Sequence, residues 1–288
     1  MPMIPLSPDW LTALVDLGFI PLLVAYLVKP LWPGENRNNR YFLLLLMFMF
    51  FANLAVHMEA LEIMQSASLG VRLMTWLVIL LILIISGRIL PFFTQAVVPG
   101  YRAKQWAWLE KSTITGMMLI IIISLLQISS WPAFIVFLAM GVLQAIRMIG
   151  WFHPGAWKIP VLLVLYSGYS WIIAGFLFSA LAAVNLFPDN LSRHTLTIGV
   201  IGVFTLGMMS RVTLGHTGRQ MKTGTAVNSA FVLVNLAVLV RILFPVVMPA
   251  YYVQWVYLSG ALWVSAFLIF CIQYIPYLVQ ARVDNANG

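Results

Sequence analysis

Charged residues are scarce in this chain, and their scarcity indicates its class. Only 8% of the 288 residues are Asp, Glu, Lys or Arg, whereas soluble domains carry about 25%. Hydrophobic residues make up 62% of the chain instead. Such a composition excludes an ordinary soluble domain and predicts a polytopic membrane protein. We expect an all-α fold, since a helix satisfies its backbone polar groups within one segment.

The chain has a single cysteine, Cys271, and lacks the common signatures of enzyme active sites. One cysteine excludes an internal disulfide, thiolate-rich metal sites and iron–sulfur clusters. No HExxH, G-x-S-x-G, P-loop or dinucleotide fingerprint occurs. Paired carboxylates suited to acid–base hydrolysis within a membrane are also missing. Catalytic residues are therefore not identified, and we expect any chemistry to come from a bound cofactor.

Nine apolar runs reach the length of about 20 residues that crosses a bilayer. The N-terminal sequence lacks the basic start and short apolar run of a signal peptide, so we expect the first run to be a span. Together the runs predict one transmembrane helical domain over residues 1–288. They cover roughly 10–28, 41–64, 73–94, 113–130, 132–150, 159–184, 194–214, 223–247 and 251–278.

The basic residues predict which way the chain crosses the membrane. With nine spans, one side receives Lys29, Arg37, Arg40, Arg102, Lys104, Lys111, Arg147, Lys158, Arg219, Lys222 and Arg282. The other side receives only Arg72, Arg193 and Arg241. Because Lys and Arg accumulate in cytoplasmic loops, we expect the N-terminus outside and the C-terminus inside. The same dispersal over short loops disfavours a nucleic-acid partner, in spite of the net charge of +8.

The connection at 95–112 has two interpretations. Its tryptophans, Trp106 and Trp108, lie beside Arg102 and Lys104. This pattern is typical of a short interfacial helix. An ordinary loop with aromatic residues at the membrane boundary fits it equally well.

Two histidines are the first candidate metal ligands. His57 lies near the outer end of the second run, and Asn53, one turn earlier, is positioned to orient its ring. His194 begins the seventh run, level with His57 in the predicted topology. Two histidines on different helices are what axial ligation of a haem, or a shared copper site, requires. Alternatively, each is a neutral histidine hydrogen-bonded between helices.

Three arginines provide the positive charge on the predicted outer side: Arg72, Arg193 and Arg241. Arginine is the best bidentate partner for carboxylates, so we expect the group to bind the two propionates of a haem. Alternatively, each arginine pairs with one of the outer carboxylates, Glu59, Glu62 and Asp189, or extends to the interface.

The segment 194–219, HTLTIGVIGVFTLGMMSRVTLGHTGR, ends in a second group of polar residues. At α-helical spacing His194, Gly202 and Met209 fall on one stripe suited to close packing. Glycines on both sides of His216 and Thr217 predict a tight turn that exposes the imidazole. The turn could bind an anion or pass protons; the alternative is a basic cytoplasmic turn. The group comprises Arg88, Arg211, His216 and Arg219.

The same segment closely resembles the signature of the NnrS family, bacterial inner-membrane proteins linked to nitric oxide metabolism and reported to contain haem and copper. Similar stretches are ANLAVH ending at His57, GRILPFFT at 87–94 and PVLLVLYSGYSWIIAG at 160–175. The resemblance implies a haem protein, with copper as the alternative metal. It also implies nitric oxide, or another small gas, as the ligand, and a role in nitric oxide stress resistance or denitrification.

Carried over residue by residue, the resemblance implies three metal or haem ligands, His57, His194 and His216, with Arg88, Arg211 and Arg219 around them. Family members usually have twelve spans and a WHxHEM-like motif near the N-terminus. No HxHE occurs here. We therefore expect either a shortened paralogue or a second chain that supplies the missing helices.

Two other functions fit the same residues. The histidines and arginines could line the pathway of a transporter or channel for a metal, haem or a small anion. Alternatively, the chain is a non-catalytic membrane subunit of an oxidoreductase complex that has lost its cofactor.

Overall fold

The computed structural model describes residues 8–32 and 34–283, without the side chains of residues 35, 37 and 38, so Arg37 lies outside the described side chains. Within this range the chain is helical and contains no strand. The helices are α1 Asp9–Leu31, α2 Tyr41–Ala60, α3 Ala67–Val97, α4 Ala107–Leu125, α5 Trp131–Trp151, α6 Pro160–Ala183, α7 Asp189–His194, α8 Phe204–His216, α9 Thr225–Ile242, α10 Phe244–Val247 and α11 Tyr252–Val279.

Nine helical segments of the described residues are long and apolar enough to cross a membrane. The predicted all-α, multi-pass fold is therefore confirmed, whereas the orientation of the termini stays a prediction. The seventh span is composite and covers Asp189–His216. Within it a π-helix, Thr195–Val203, joins α7 to α8. Because this span begins before residue 194, His194 lies about one turn inside it rather than at its end.

Two boundaries differ from the predictions. The run expected at 73–94 is a longer helix, α3, which begins at Ala67 and continues through Pro91 to Val97. Residues 98–106 form an irregular connection, which matches the loop interpretation and not an interfacial helix. The backbone N–H of Lys104 donates to the carbonyl of Gly150 at 2.8 Å. The Tyr101 hydroxyl donates to the same carbonyl at 3.1 Å, and burial raises the pKa of that hydroxyl.

The chain folds into two compact units. One comprises Met1–Ile82 with Met117–Ile128, and the other comprises Leu83–Gly116 with Ser129–Gly288. The predicted single domain over residues 1–288 stays a prediction.

In the first unit, hydrogen bonds and close packing join the end of α2 to the start of α3. Glu59 accepts a hydrogen bond from the backbone N–H of Ala67 at 2.8 Å. The Ser66 hydroxyl donates to the carbonyl of Ala55 at 2.7 Å. Gly70 approaches α2 so closely that an added Cβ would lie 2.5 Å from the carbonyl oxygen of Ala52. These contacts hold the turn of α2 that carries His57.

In the second unit, α6 contributes twelve buried residues. It approaches the seventh span at two glycines. An added Cβ at Gly168 would lie 3.0 Å from the backbone N of Phe204. One at Gly207 would lie 2.8 Å from the Val164 side chain. Small residues permit this close approach of helices inside a membrane.

Candidate functional site

His57 belongs to a polar cluster in the first unit. Its Nε2 lies 2.8 Å from Oδ2 of Asp16, on α1. Asn53 donates from Nδ2 to the same carboxylate oxygen at 2.7 Å. The His57 side chain is 14% exposed, whereas Asp16 is 57% exposed. The cluster therefore joins a mostly buried imidazole to a carboxylate at the edge of the unit.

The arrangement determines which ring nitrogen of His57 is available to a metal. A carboxylate only accepts hydrogen bonds, so Nε2 carries the proton that Asp16 binds. The remaining nitrogen, Nδ1, is then the one that can accept or coordinate. A carboxylate on one nitrogen with a metal on the other is the usual arrangement of metal-binding histidines. The sequence predicted that Asn53 orients His57 directly, but Asn53 acts through Asp16.

His194 belongs to a second cluster, in the second unit. Its Nε2 lies 2.8 Å from Nη2 of Arg241, on α9. The same Nη2 also donates to the Tyr252 hydroxyl at 3.1 Å. Because a guanidinium only donates, Nε2 of His194 is the acceptor. Coordination of a metal through this nitrogen would require the hydrogen bond to Arg241 to break.

Arg241 itself has no negatively charged partner among the described residues. It is 7% exposed, and it forms no ion pair with any residue that the structure describes. Its Nη1 is buried and has no hydrogen-bond partner over the same range. A buried cation without a partner is costly. The observation fits a site for an anion such as a carboxylate, to which arginine can offer two donors.

The other predicted outer arginines differ from Arg241. Arg193 is exposed and pairs with Asp189 at 2.8 Å, one turn earlier, which is the alternative that the sequence left open. Arg72 lies half-buried near the start of α3 in the first unit and forms no ion pair among the described residues. No contact in the structure therefore assigns either residue to a carboxylate of a cofactor.

Within the predicted inner group, Arg211 and Arg219 contact different aromatic rings. The Arg211 guanidinium lies over the Phe93 ring at 3.2 Å. Arg219 lies over the Tyr277 ring at 4.0 Å and donates to Gln280 at 3.0 Å. His216 is exposed at the end of α8, while Arg88 is exposed on α3.

The turn after α8 forms as the sequence predicted. Gly218 adopts a φ of 69°, the left-handed region that favours glycine. The backbone N–H of Arg219 then donates to the carbonyl of Leu214 at 2.9 Å. The helix therefore ends at His216, and the imidazole is exposed as expected.

A buried polar network in the second unit was missed by the sequence analysis. Arg147 was assigned to a loop side, but it lies within α5 and is 2% exposed. It forms a two-pronged ion pair with Glu110 of α4, with Nε at 2.8 Å from Oε1. Its Nη1 donates to the carbonyl of Leu83 at 3.1 Å and to the Tyr169 hydroxyl at 3.3 Å.

The partners of Arg147 are themselves satisfied. The Tyr169 hydroxyl donates to Oε1 of Gln144 at 2.7 Å. Gln144 donates to Thr113 at 3.2 Å, and Thr113 donates to the carbonyl of Leu109 at 2.9 Å. A fully paired network of this kind joins α4, α5 and α6, so it stabilises the unit rather than offering a binding site. Its only sequence signal was a glutamine and an arginine one turn apart in an apolar helix.

The described residues contain no group of three or more His, Cys, Asp or Glu side chains that could hold a metal ion. A copper site built from such a group is therefore not present in the part of the chain that the structure describes. Haem iron needs only one or two ligands from the protein. His153 accepts a hydrogen bond from the backbone N–H of Gly155 at 3.0 Å, a local contact within its own turn.

The profile of the family described as NnrS protein matches residues 1–282. No curated protein and no solved structure matches the chain at a significant level. The matched range includes both histidine clusters.

Proposed function

Because this chain belongs to the NnrS family, we propose that it is a haem-binding protein of the bacterial inner membrane that acts in nitric oxide metabolism. The proposal rests on one observation above all, the hydrogen bond between Nε2 of His57 and Asp16. It gives a mostly buried histidine within a membrane span the hydrogen-bonded carboxylate that metal-binding histidines generally have. An ionisable pair at this depth is a functional candidate by default.

His57 is the residue that would hold the iron in this proposal. Asp16 fixes the tautomer and the ring orientation, and Asn53 holds the carboxylate in turn. A bound haem iron would supply the position that takes nitric oxide. Haem is favoured over copper because its porphyrin supplies the other iron ligands, and the described residues provide no three-ligand group.

Arg241 is the described residue of the second unit that best fits a carboxylate or another anion. It is buried, its Nη1 is unpartnered over the described residues, and no described carboxylate pairs with it. While it donates to His194, that imidazole serves as an acceptor and not as a metal ligand. The ligand role of His194 and that of His216 stay predictions, as do the copper alternative and a second chain that supplies further helices.

Nitric oxide needs no polar channel to reach such a site. It is small and dissolves in lipid, so it can arrive through the bilayer. This property is consistent with a chain that is 62% hydrophobic and carries few charges. The residues around His57 then have to exclude competing polar ligands rather than recognise a substrate.

The first test is the absorption spectrum of the detergent-purified protein, oxidised and dithionite-reduced, with iron and copper quantified on the same sample. We expect a Soret band at about one haem per chain that shifts when nitric oxide is added. The variant His57→Gln should lose this band, whereas the matched control His153→Gln should keep it. A protein that stays colourless and metal-free after haem is supplied would overturn the proposal, as would a His57→Gln variant with full haem content.

A second candidate function, transport of a small anion, is favoured by the unpaired Arg241. A buried cation without a carboxylate is a natural binding point along an anion pathway. Flux of a radiolabelled anion in proteoliposomes, abolished by Arg241→Gln and unaffected by Arg193→Gln, would support this function. A stoichiometric Soret band without any flux would decide for haem binding.

A further inference from the structure

A large apolar groove opens on the second unit between the end of α5, the start of α6 and the start of α9. Its volume is about 1000 Å³. Ile149, Trp157 and Val232 line it and are exposed. Because these helices are candidate membrane spans, the groove faces hydrocarbon, and its apolar lining suits an acyl chain. No histidine lines the groove, so it is separate from both histidine clusters.

Most of the hydroxyl and amide side chains that line the groove already have hydrogen-bond partners. The hydroxyls of Ser167 and Ser170 donate to carbonyls of their own helix, at 2.9 Å each. Asn235 donates to the carbonyl of Phe231 at 2.8 Å and accepts from Trp171 at 2.9 Å. A polar solute would find few partners in such a groove. A hydrocarbon chain requires none.

Positive charge borders one end of the groove. Trp157 lines the groove and Lys158 follows it directly. Asn228 also lines it and accepts a hydrogen bond from Thr223 at 2.6 Å, next to Lys222. Both lysines are exposed. We call this end of the second unit, formed by residues 98–106, 152–159 and 217–224, the basic end.

The basic end has no compensating negative charge in its sequence. Its three connections contain basic residues and not one Asp or Glu: Arg102, Lys104, Lys158, Arg219 and Lys222. Contacts join these connections, since the Tyr101 hydroxyl donates to the carbonyl of Phe152 at 3.3 Å, and Ile159 and Met221 line one small cavity. The basic end beside an apolar groove is complementary to a molecule with an anionic headgroup and a hydrocarbon tail.

We propose that the groove binds an anionic glycerophospholipid. Its acyl chain lies along the apolar lining of α5, α6 and α9, and its phosphate contacts Lys158 and Lys222. Trp157, exposed at the mouth of the groove, lies at the level of the glycerol and headgroup, where tryptophan is favoured. The site is independent of the proposed haem function, because none of its residues belongs to a histidine cluster.

The test compares retention of two lipids that differ only in headgroup charge. The purified protein is delipidated, incubated with phosphatidylglycerol or phosphatidylcholine of identical acyl chains, and examined by native mass spectrometry. We expect one tightly retained phosphatidylglycerol and a higher unfolding temperature than with phosphatidylcholine. Lys158→Gln and Lys222→Gln should each weaken retention about fivefold, since a basic residue near an anionic lipid surface contributes about 1 kcal/mol.

Two further variants separate the effect of the lysine charges from the effect of the shape of the groove. Lys111→Gln removes one exposed lysine of the same unit that does not border the groove, so it should retain phosphatidylglycerol like the unaltered protein. Ser170→Phe fills the groove and should lower retention of both lipids. Equal retention of both lipids by the unaltered protein would overturn the proposal. So would equal losses of phosphatidylglycerol in the Lys111→Gln and Lys158→Gln variants, or unchanged retention of both lipids in Ser170→Phe.

Discussion

Nη2 of Arg241 lies 2.8 Å from Nε2 of His194, and this contact places the proton of the histidine on Nδ1. A guanidinium has no acceptor, so the imidazole must be neutral at Nε2. The histidine and the Tyr252 hydroxyl are thus the described side-chain partners of a buried cation. A neutral acceptor solvates Arg241 without cancelling its charge, and the charge stays available to an anion.

His194→Ala should destabilise the protein by about 1–3 kcal/mol, because it removes a hydrogen-bond partner from a buried cation. His194→Gln should recover part of this loss, since its amide oxygen can accept from Arg241. Thermal unfolding in detergent would measure both. His216→Ala, at an exposed histidine, is the matched control and should change stability little. Equal effects of His194→Ala and His194→Gln would contradict the acceptor role.

Asp16→Asn should weaken haem binding about 10–100-fold, the usual effect of losing the partner of a metal-binding histidine. The amide is nearly isosteric, so the fold should be preserved while the orienting charge is lost. Titration of the apoprotein with haem, followed by absorbance, measures the change. Asp9→Asn alters an exposed carboxylate on the same helix and should bind haem normally. Identical titrations for the two variants would remove Asp16 from the site.

Glu110→Gln should destabilise the second unit by on the order of 2 kcal/mol. Breaking a fully buried ion pair costs about 3–5 kcal/mol, but Glu110 is 41% exposed, so water partly replaces it. Arg147→Lys should also destabilise, because an ammonium group cannot reproduce the two-pronged contact with Glu110. Unfolding temperatures in detergent measure both, with Lys111→Gln as the control. If Arg147→Lys is as stable as the unaltered protein, the two-pronged contact with Glu110 does not contribute to stability.

Gly168→Ala should cost about 1–3 kcal/mol, the usual penalty for overpacking. The new methyl group would meet the backbone of Phe204 at 3.0–3.1 Å, and backbone cannot rotate away as a side chain can. Gly260→Ala is the matched substitution on α11, where nothing lies within 4 Å. It should be neutral or stabilise the helix by up to about 1 kcal/mol. Similar unfolding temperatures of the two variants in detergent would contradict the close approach of α6 and the seventh span.

The helices of this protein could be predicted from sequence because a membrane imposes a minimum apolar length. Runs such as 132–150 and 159–184 therefore matched α5 and α6 within two residues. The glycine turn at Gly218 was also predictable, since its conformation is local. Both features depend on near neighbours in the chain, which a sequence displays directly.

The partners of the polar residues could not be predicted, because they come from distant helices. Asp16 contacts His57 from 41 residues away, and Glu110 pairs with Arg147 from 37 residues away. The charge rule placed Arg147 in a loop, since a single sequence shows no carboxylate beside it. The stripe from His194 to Met209 was wrong for another reason. It assumed α-helical spacing through residues 195–203, where the helix is a π-helix, and Met209 is exposed.

The π-helix also sets the angular phase between the two halves of the seventh span. Each residue of an α-helix advances the chain by about 100°, and a wider helix advances it by less. The angle around the span axis between His194, which contacts Arg241, and Gly207, which meets α6, therefore differs from the angle in a continuous α-helix. Shortening 195–203 by one residue would leave the hydrophobic length almost unchanged while turning a different side chain toward Arg241. The chemistry at this end of the span thus depends on an insertion-like irregularity that hydropathy does not register.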